Sequence, residues 1–141
     1  MFEIEGRMLA GYFGGLPHFI LYFVVAAALL SIFLLVYVRL TAHDEFSLIR
    51  NGNAGAAAAL GGTMIGFVLP LSKAVAQATS IPDLLIWGMA AFVVQCLAYL
   101  VCRWLVPGLS EKIESGNLAS GLMVGAFGIA AGLLNAASMS V

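Results

Sequence analysis

Residues 19–38 read FILYFVVAAALLSIFLLVYV, an unbroken apolar run whose only hydroxyl outside tyrosine is Ser31. About 20 residues at 1.5 Å each cover the ~30 Å hydrocarbon core of a bilayer, so the run is expected to cross a membrane as a helix. Working outward, Asn53 to Ser72, Leu84 to Val106 and Leu118 to Ala137 meet the same length. The second and fourth stretches are rich in Gly and Ala and score weakly on hydropathy, but a backbone in lipid must satisfy its own polar groups, and a helix does so. The expected fold class is all-α: a polytopic membrane protein of four transmembrane helices, with residues 1–141 forming a single membrane domain.

The composition agrees. Apolar residues make up 62% of the chain and charged residues 9%, against roughly a quarter charged in soluble domains. A net charge of -1 with six scattered Lys and Arg excludes a nucleic-acid footprint, which needs clustered cations. Cys96 and Cys102 lie on one predicted helix, about 240° apart around its axis, and neither pair with each other nor form a metal site. Glu3 and Glu5 offset Arg7 ahead of the first run, and that run exceeds the apolar core of a signal peptide, so the first span is expected to stay as a membrane anchor.

Displacing the chain by 64 residues lays the first half on the second: Arg39 falls on Arg103, Ile49 on Ile113, Gly52-Asn53 on Gly116-Asn117, and Gly61 on Gly125. The Arg closing each first helix and the Gly-Asn opening each second helix carry most weight, because Ala and Leu matches are cheap in this composition. The repeat spans residues 17–80 and 81–141. Each copy holds two spans, so the two tandem hairpins enter the membrane in the same sense and form a parallel repeat. The short loops 39–52 and 103–117 carry Arg39, Arg50, Arg103 and Lys112, against Arg7 and Lys73 on the other side. The positive-inside rule therefore places both loops in the cytoplasm and both termini in the periplasm.

The second and fourth helices carry small residues at four-residue spacing. Gly61, Gly62 and Gly66 lie on one, and Gly121, Gly125, Gly128 and Gly132 on the other. Without a hydrophobic drive in lipid, such faces bring backbones together, which puts these two helices at the centre. Phe19, Phe23, Phe33, Trp87, Phe92, Tyr99 and Trp104 belong to the first and third and are expected to face lipid or headgroups. Asn53 and Asn117 are expected to cap the helices they open. The same two helix starts, with Gly52, Gly116, Arg39 and Arg103, form a possible site for a lipid phosphate or small anion. Arg39 and Arg103 also complement helix C-termini and can anchor at the headgroups. Ser80-Ile81-Pro82-Asp83 resembles a capping box. Pro70, four residues after Gly66, is expected to kink its helix and free the Gly66 carbonyl.

Polar groups at membrane depth reduce to Ser31, Gln95 and Asn135, and no ionisable residue is expected within the hydrocarbon. Neither a metal cluster, a nucleophile–base pair nor a phosphate loop is present in the sequence, and no cofactor is expected. His18 and His43 fall at opposite faces.

The duplicated hairpin and the stretch from Asn51 to Gly62, NGNAGAAAALGG, resemble the YjfL-like family of bacterial inner-membrane proteins, a domain-of-unknown-function group with two such hairpins. The resemblance runs from about residue 18 to 138 and implies a bacterial inner membrane and, because genes of this kind are often found near those of phage-shock-type membrane-stress proteins, a role in membrane maintenance. The second copy keeps Gly116-Asn117 and loses the alanine run. The expected function is non-enzymatic: association with itself as a homo-oligomer, with membrane lipids, or with a peripheral membrane-stress partner. The alternative is an oligomeric channel or small-solute transporter with a path along the second and fourth helices.

Overall fold

The computed structural model describes residues 1–139, so the last two residues of the expected second copy lie outside the described residues. Among the described residues there are seven α-helices and no strand: α1 (Phe2–Gly14), α2 (Leu16–Leu40), α3 (Glu45–Arg50), α4 (Ala54–Gln77), α5 (Ile81–Leu105), α6 (Leu109–Glu114) and α7 (Leu118–Ser138). Four segments are long and apolar enough to cross a membrane: Phe2–Leu40, α4, α5 and α7. The protein is thus all-helical with four candidate spans.

Helix α1 and the short helices α3 and α6 were not expected. Six residues carry under two turns of periodicity, too few for α3 and α6 to show in a hydrophobic pattern. Between α1 and α2 only Gly15 intervenes, at φ −83° and ψ −15°, close to helical values, so the two run on as one 39-residue segment.

The element order recurs at the expected offset. Helix α3 covers 45–50 and α6 covers 109–114; α4 starts at Ala54 and α7 at Leu118. The turn between each short helix and the following span is built twice in the same way. Gly52 and Gly116 sit at φ +84° and +85°, a left-handed conformation that glycine adopts freely. The Asn53 N–H reaches back to the Leu48 carbonyl at 2.9 Å and the Asn117 N–H to the Lys112 carbonyl at 2.9 Å. Each is the long-range bond of a Schellman turn, which ends one helix and aims the chain into the next.

Helices α4 and α7 pack backbone to backbone in the middle. Gly62 lies against Gly125, Gly66 against Gly128 and Gly132, and Gly55 against Gly121; a Cβ at Gly62, Gly66, Gly121 or Gly132 would overlap the opposite backbone. Helix α5 lies across both, burying Leu84, Gly88, Ala91, Gln95, Tyr99 and Cys102. Helix α2 buries only Tyr22, Phe33 and Tyr37.

Two of the aromatics expected to face lipid are instead interior. Phe33 is fully buried, stacked on Phe67 at 4.3 Å between ring centroids and meeting the edge of Phe92 at 5.5 Å. Tyr99 is buried and edge-on to Tyr37 at 5.3 Å. The glycines draw α4 against α7, and large rings fill the space left between that pair and the flanking helices. Phe19, Phe23, Trp87 and Trp104 are exposed. At the start of α5, the Asp83 N–H donates to Ser80 Oγ at 3.3 Å and Asp83 Oδ2 accepts from the Thr79 N–H at 3.1 Å.

Candidate functional site

The Gly-Asn turns meet at the end of the bundle that carries α3 and α6. Asn53 Oδ1 accepts from the Ala56 N–H at 2.9 Å and Asn117 Oδ1 from the Ser120 N–H at 3.2 Å, so both side chains cap the helices they precede. Asn53 does more: its Nδ2 donates to the Ile113 carbonyl at 2.7 Å and the Glu114 carbonyl at 3.3 Å, tying the first copy to the second. A shallow depression of about 390 Å³ lies here, lined by Leu48, Asn51, Gly52, Asn53, Glu114 and Gly116 among others. Arg39 and Arg103 close α2 and α5 and are outside that lining, so the two guanidinium groups do not line the depression at the helix starts.

Of the glycines expected to pack helices, Gly62, Gly66, Gly121, Gly125, Gly128 and Gly132 lie at the α4–α7 contact. Gly61 does not: a Cβ there meets nothing within 4 Å, because it points away from α7. Pro70 is buried within α4, which continues as one α-helix to Gln77. Proline deprives the Gly66 carbonyl of its helical donor, and that oxygen lies against Gly132 of α7. The freed acceptor is therefore covered by a neighbouring backbone.

Sequence reasoning missed a buried polar cluster at the same end. His43 and Glu45, within the loop 39–52, are interior: His43 Nε2 is 2.8 Å from Glu45 Oε1, and both side chains are fully buried. The Thr41 hydroxyl beside them donates to the Val38 carbonyl at 3.2 Å or the His43 carbonyl at 3.3 Å. Glu45 is in electrostatic reach of Tyr37 and Tyr99, and Tyr99 lies beside Ser110. Deeper in, the Thr63 hydroxyl donates to the Tyr37 oxygen at 3.4 Å. Gln95 Nε2 donates to the Gly128 carbonyl at 3.0 Å and the Thr63 carbonyl at 3.4 Å. A chain of polar side chains thus runs from α3 to Gln95, roughly 14 Å along α4 at 1.5 Å per residue. Beyond it stand the rings of Phe33, Phe67 and Phe92.

Several buried atoms of this chain have no hydrogen-bond partner: His43 Nδ1, Glu45 Oε2, Tyr99 Oη, Ser110 Oγ and Gln95 Oε1. Asn135 Nδ2, on α7, shares that state, whereas Ser31 bonds the Ala27 carbonyl of its own helix at 2.8 Å. The repeat register held the signal that could have found the pair, because Glu45 falls on Leu109 and His43 on Pro107. No group of three His, Cys, Asp or Glu placed to hold a metal occurs among the described residues.

Residues 11–139 match the family described as Domain of Unknown Function (DUF350). The chain is similar to the UPF0719 inner membrane protein YjfL of Escherichia coli strain K12, with 44% identity over 119 residues, covering 84% of this chain and 90% of that protein. It is also similar to the UPF0719 transmembrane protein YshE of Bacillus subtilis strain 168, with 31% identity over 114 residues, 79% of this chain and 84% of that protein. No solved structure gives a significant match.

Proposed function

Because the chain belongs to the DUF350 family, we propose that it is a multi-pass protein of a bacterial inner membrane that works without covalent chemistry, by associating with a second copy, with lipid and with a peripheral membrane-stress protein. The names of its relatives as inner-membrane and transmembrane proteins and the four apolar spans support the location. The charge difference between the loops and the other side supports a cytoplasmic α3/α6 end and periplasmic termini. A docking partner would then meet the bundle at that end.

The observation that carries self-association is the outer face of α4. The inner glycines are consumed by α7, while Ala54, Ala57 and Gly61 are exposed or half-buried away from that contact. At Gly61 there is open space where a second helix can approach, the geometry that small-xxx-small faces use in lipid. Native mass spectrometry from lipid nanodiscs tests this. An oligomer is expected for the native chain and a monomer for Gly61→Leu; an unchanged mass for that variant would remove the proposed contact.

The buried polar chain favours a second reading, a channel or small-solute transporter. Its half-path would run from His43 and Glu45 past Tyr37 and Thr63 to Gln95, closed by the three phenylalanines. Purified protein in liposomes should then leak small ions when Phe33→Ala opens the closure, and a tight seal in that variant would argue against it.

A further inference from the structure

The position of Glu45 is a place where this fold accepts an apolar residue. Its counterpart 64 positions on, Leu109, starts α6 as Glu45 starts α3 and is buried to the same degree, 1% against 0% exposed. His43 likewise corresponds to Pro107. Burying a carboxylate costs several kcal/mol unless it is fully paired, and an apolar residue would pack here without that cost. Packing therefore does not account for the His43–Glu45 pair.

The pairing is also incomplete. With Nε2 of His43 donating to Oε1 of Glu45, each group keeps one buried atom without a partner, Nδ1 and Oε2. These are the two atoms on which the pair can accept a proton. An imidazole beside a carboxylate carries a net negative charge in the interior. One proton, on either atom, makes the pair neutral overall, and a second would leave it positive. Interior burial favours the neutral total, so the geometry leaves room for one proton shared between the two residues.

The surroundings supply further polar atoms. Tyr99 Oη and Ser110 Oγ, from α5 and α6, are buried beside one another with no other partner, and Tyr99 is in electrostatic reach of Glu45, Cys102 and Arg103. Tyr37 of α2 faces Glu45 and is hydrogen-bonded to Thr63 of α4. On the pair's own segment, Asp44 accepts from the Ser47 N–H in capping α3, and Arg50 is exposed. Buried water characteristically bridges two to four such unsatisfied groups.

We propose that His43 and Glu45 form one buried proton-binding site at the α3/α6 end of the bundle, completed by ordered water held by Tyr99 and Ser110. Uptake forms an N–H or O–H bond at the pair and breaks an O–H bond of a hydronium, which leaves as water; a bridging water that relays the proton takes one from that hydronium in the same step. The site is independent of oligomer formation, and nothing need cross the membrane for it to operate.

Solid-state nuclear magnetic resonance of the full chain in lipid bilayers, with isotope-labelled histidine and glutamate, tests this between about pH 4 and 9. His43 and Glu45 signals should move together with a shared midpoint. In Glu45→Gln, which keeps the shape and removes the acid, the pH response of the His43 signals should differ from that in the native chain. Glu45→Leu, which copies the residue at Leu109, provides a folded variant that lacks the co-titration. Constant His43 and Glu45 signals across the range in the native chain would overturn the proposal, as would signals that follow sodium or potassium concentration at fixed pH instead of pH.

Discussion

Glu45 and Leu109 begin equivalent short helices, are equally buried, and differ in that one is a carboxylate and the other a hydrocarbon. At neutral pH, replacing both members of the pair, His43→Leu together with Glu45→Leu, removes buried polar groups that the fold does not need for shape, and stability is expected to stay within about 1 kcal/mol of the native chain. His43→Ala leaves the carboxylate without its partner and should cost about 3 kcal/mol. Reversible unfolding in mixed micelles would measure both, and equal losses in the two variants would contradict the asymmetry.

Gly132 and Gly61 are small for different reasons. A Cβ at Gly132 collides with the backbone at Gly66, whereas one at Gly61 meets nothing. Gly132→Ala should destabilise the monomer by about 3 kcal/mol through overpacking. Gly61→Ala should leave its unfolding unchanged. The same micelle assay separates them.

Asn53 caps α4 and also bonds to the Ile113 carbonyl, whereas Asn117 caps α7. Losing a cap costs about 1 kcal/mol, and the bond between copies adds about another. Asn53→Ala is therefore expected to be more destabilising than Asn117→Ala by about 1 kcal/mol. Hydrogen exchange at the first turns of α4 and α7 would localise each loss.

Gln95 donates from within the bundle to two carbonyls of other helices while its own oxygen goes unpartnered. Hydrogen bonds of this kind in membranes average about 0.6 kcal/mol. Gln95→Leu should accordingly destabilise by less than about 1 kcal/mol, and a loss of several times that would mean the polar chain acts cooperatively.

The long-range frame was legible because it rests on signals that composition cannot blur. Arg39 and Arg103, with Gly52-Asn53 and Gly116-Asn117, mark equivalent points in the two copies, and the span lengths follow from bilayer thickness. The glycine register named the α4–α7 contact but could not divide Gly61 from Gly62, because adjacent residues on a helix point about 100° apart and which of them meets a partner depends on where that partner lies. Phe33 and Tyr99 were misplaced for a related reason: in lipid, an aromatic ring is equally at home outside and inside. The His43–Glu45 pair was missed because short interfacial helices leave no periodic trace, and a charged residue between spans reads as solvated until a fold covers it.

Where backbone meets backbone there is no room to slide. The pair α4 and α7, with every glycine but Gly61 seated against the opposite helix, forms a stiff keel through the bundle. Helix α2 hangs beside it by three buried aromatic side chains, Tyr22, Phe33 and Tyr37. A movement of that outer helix leaves the keel intact, and Tyr37 would carry it directly to the polar cluster.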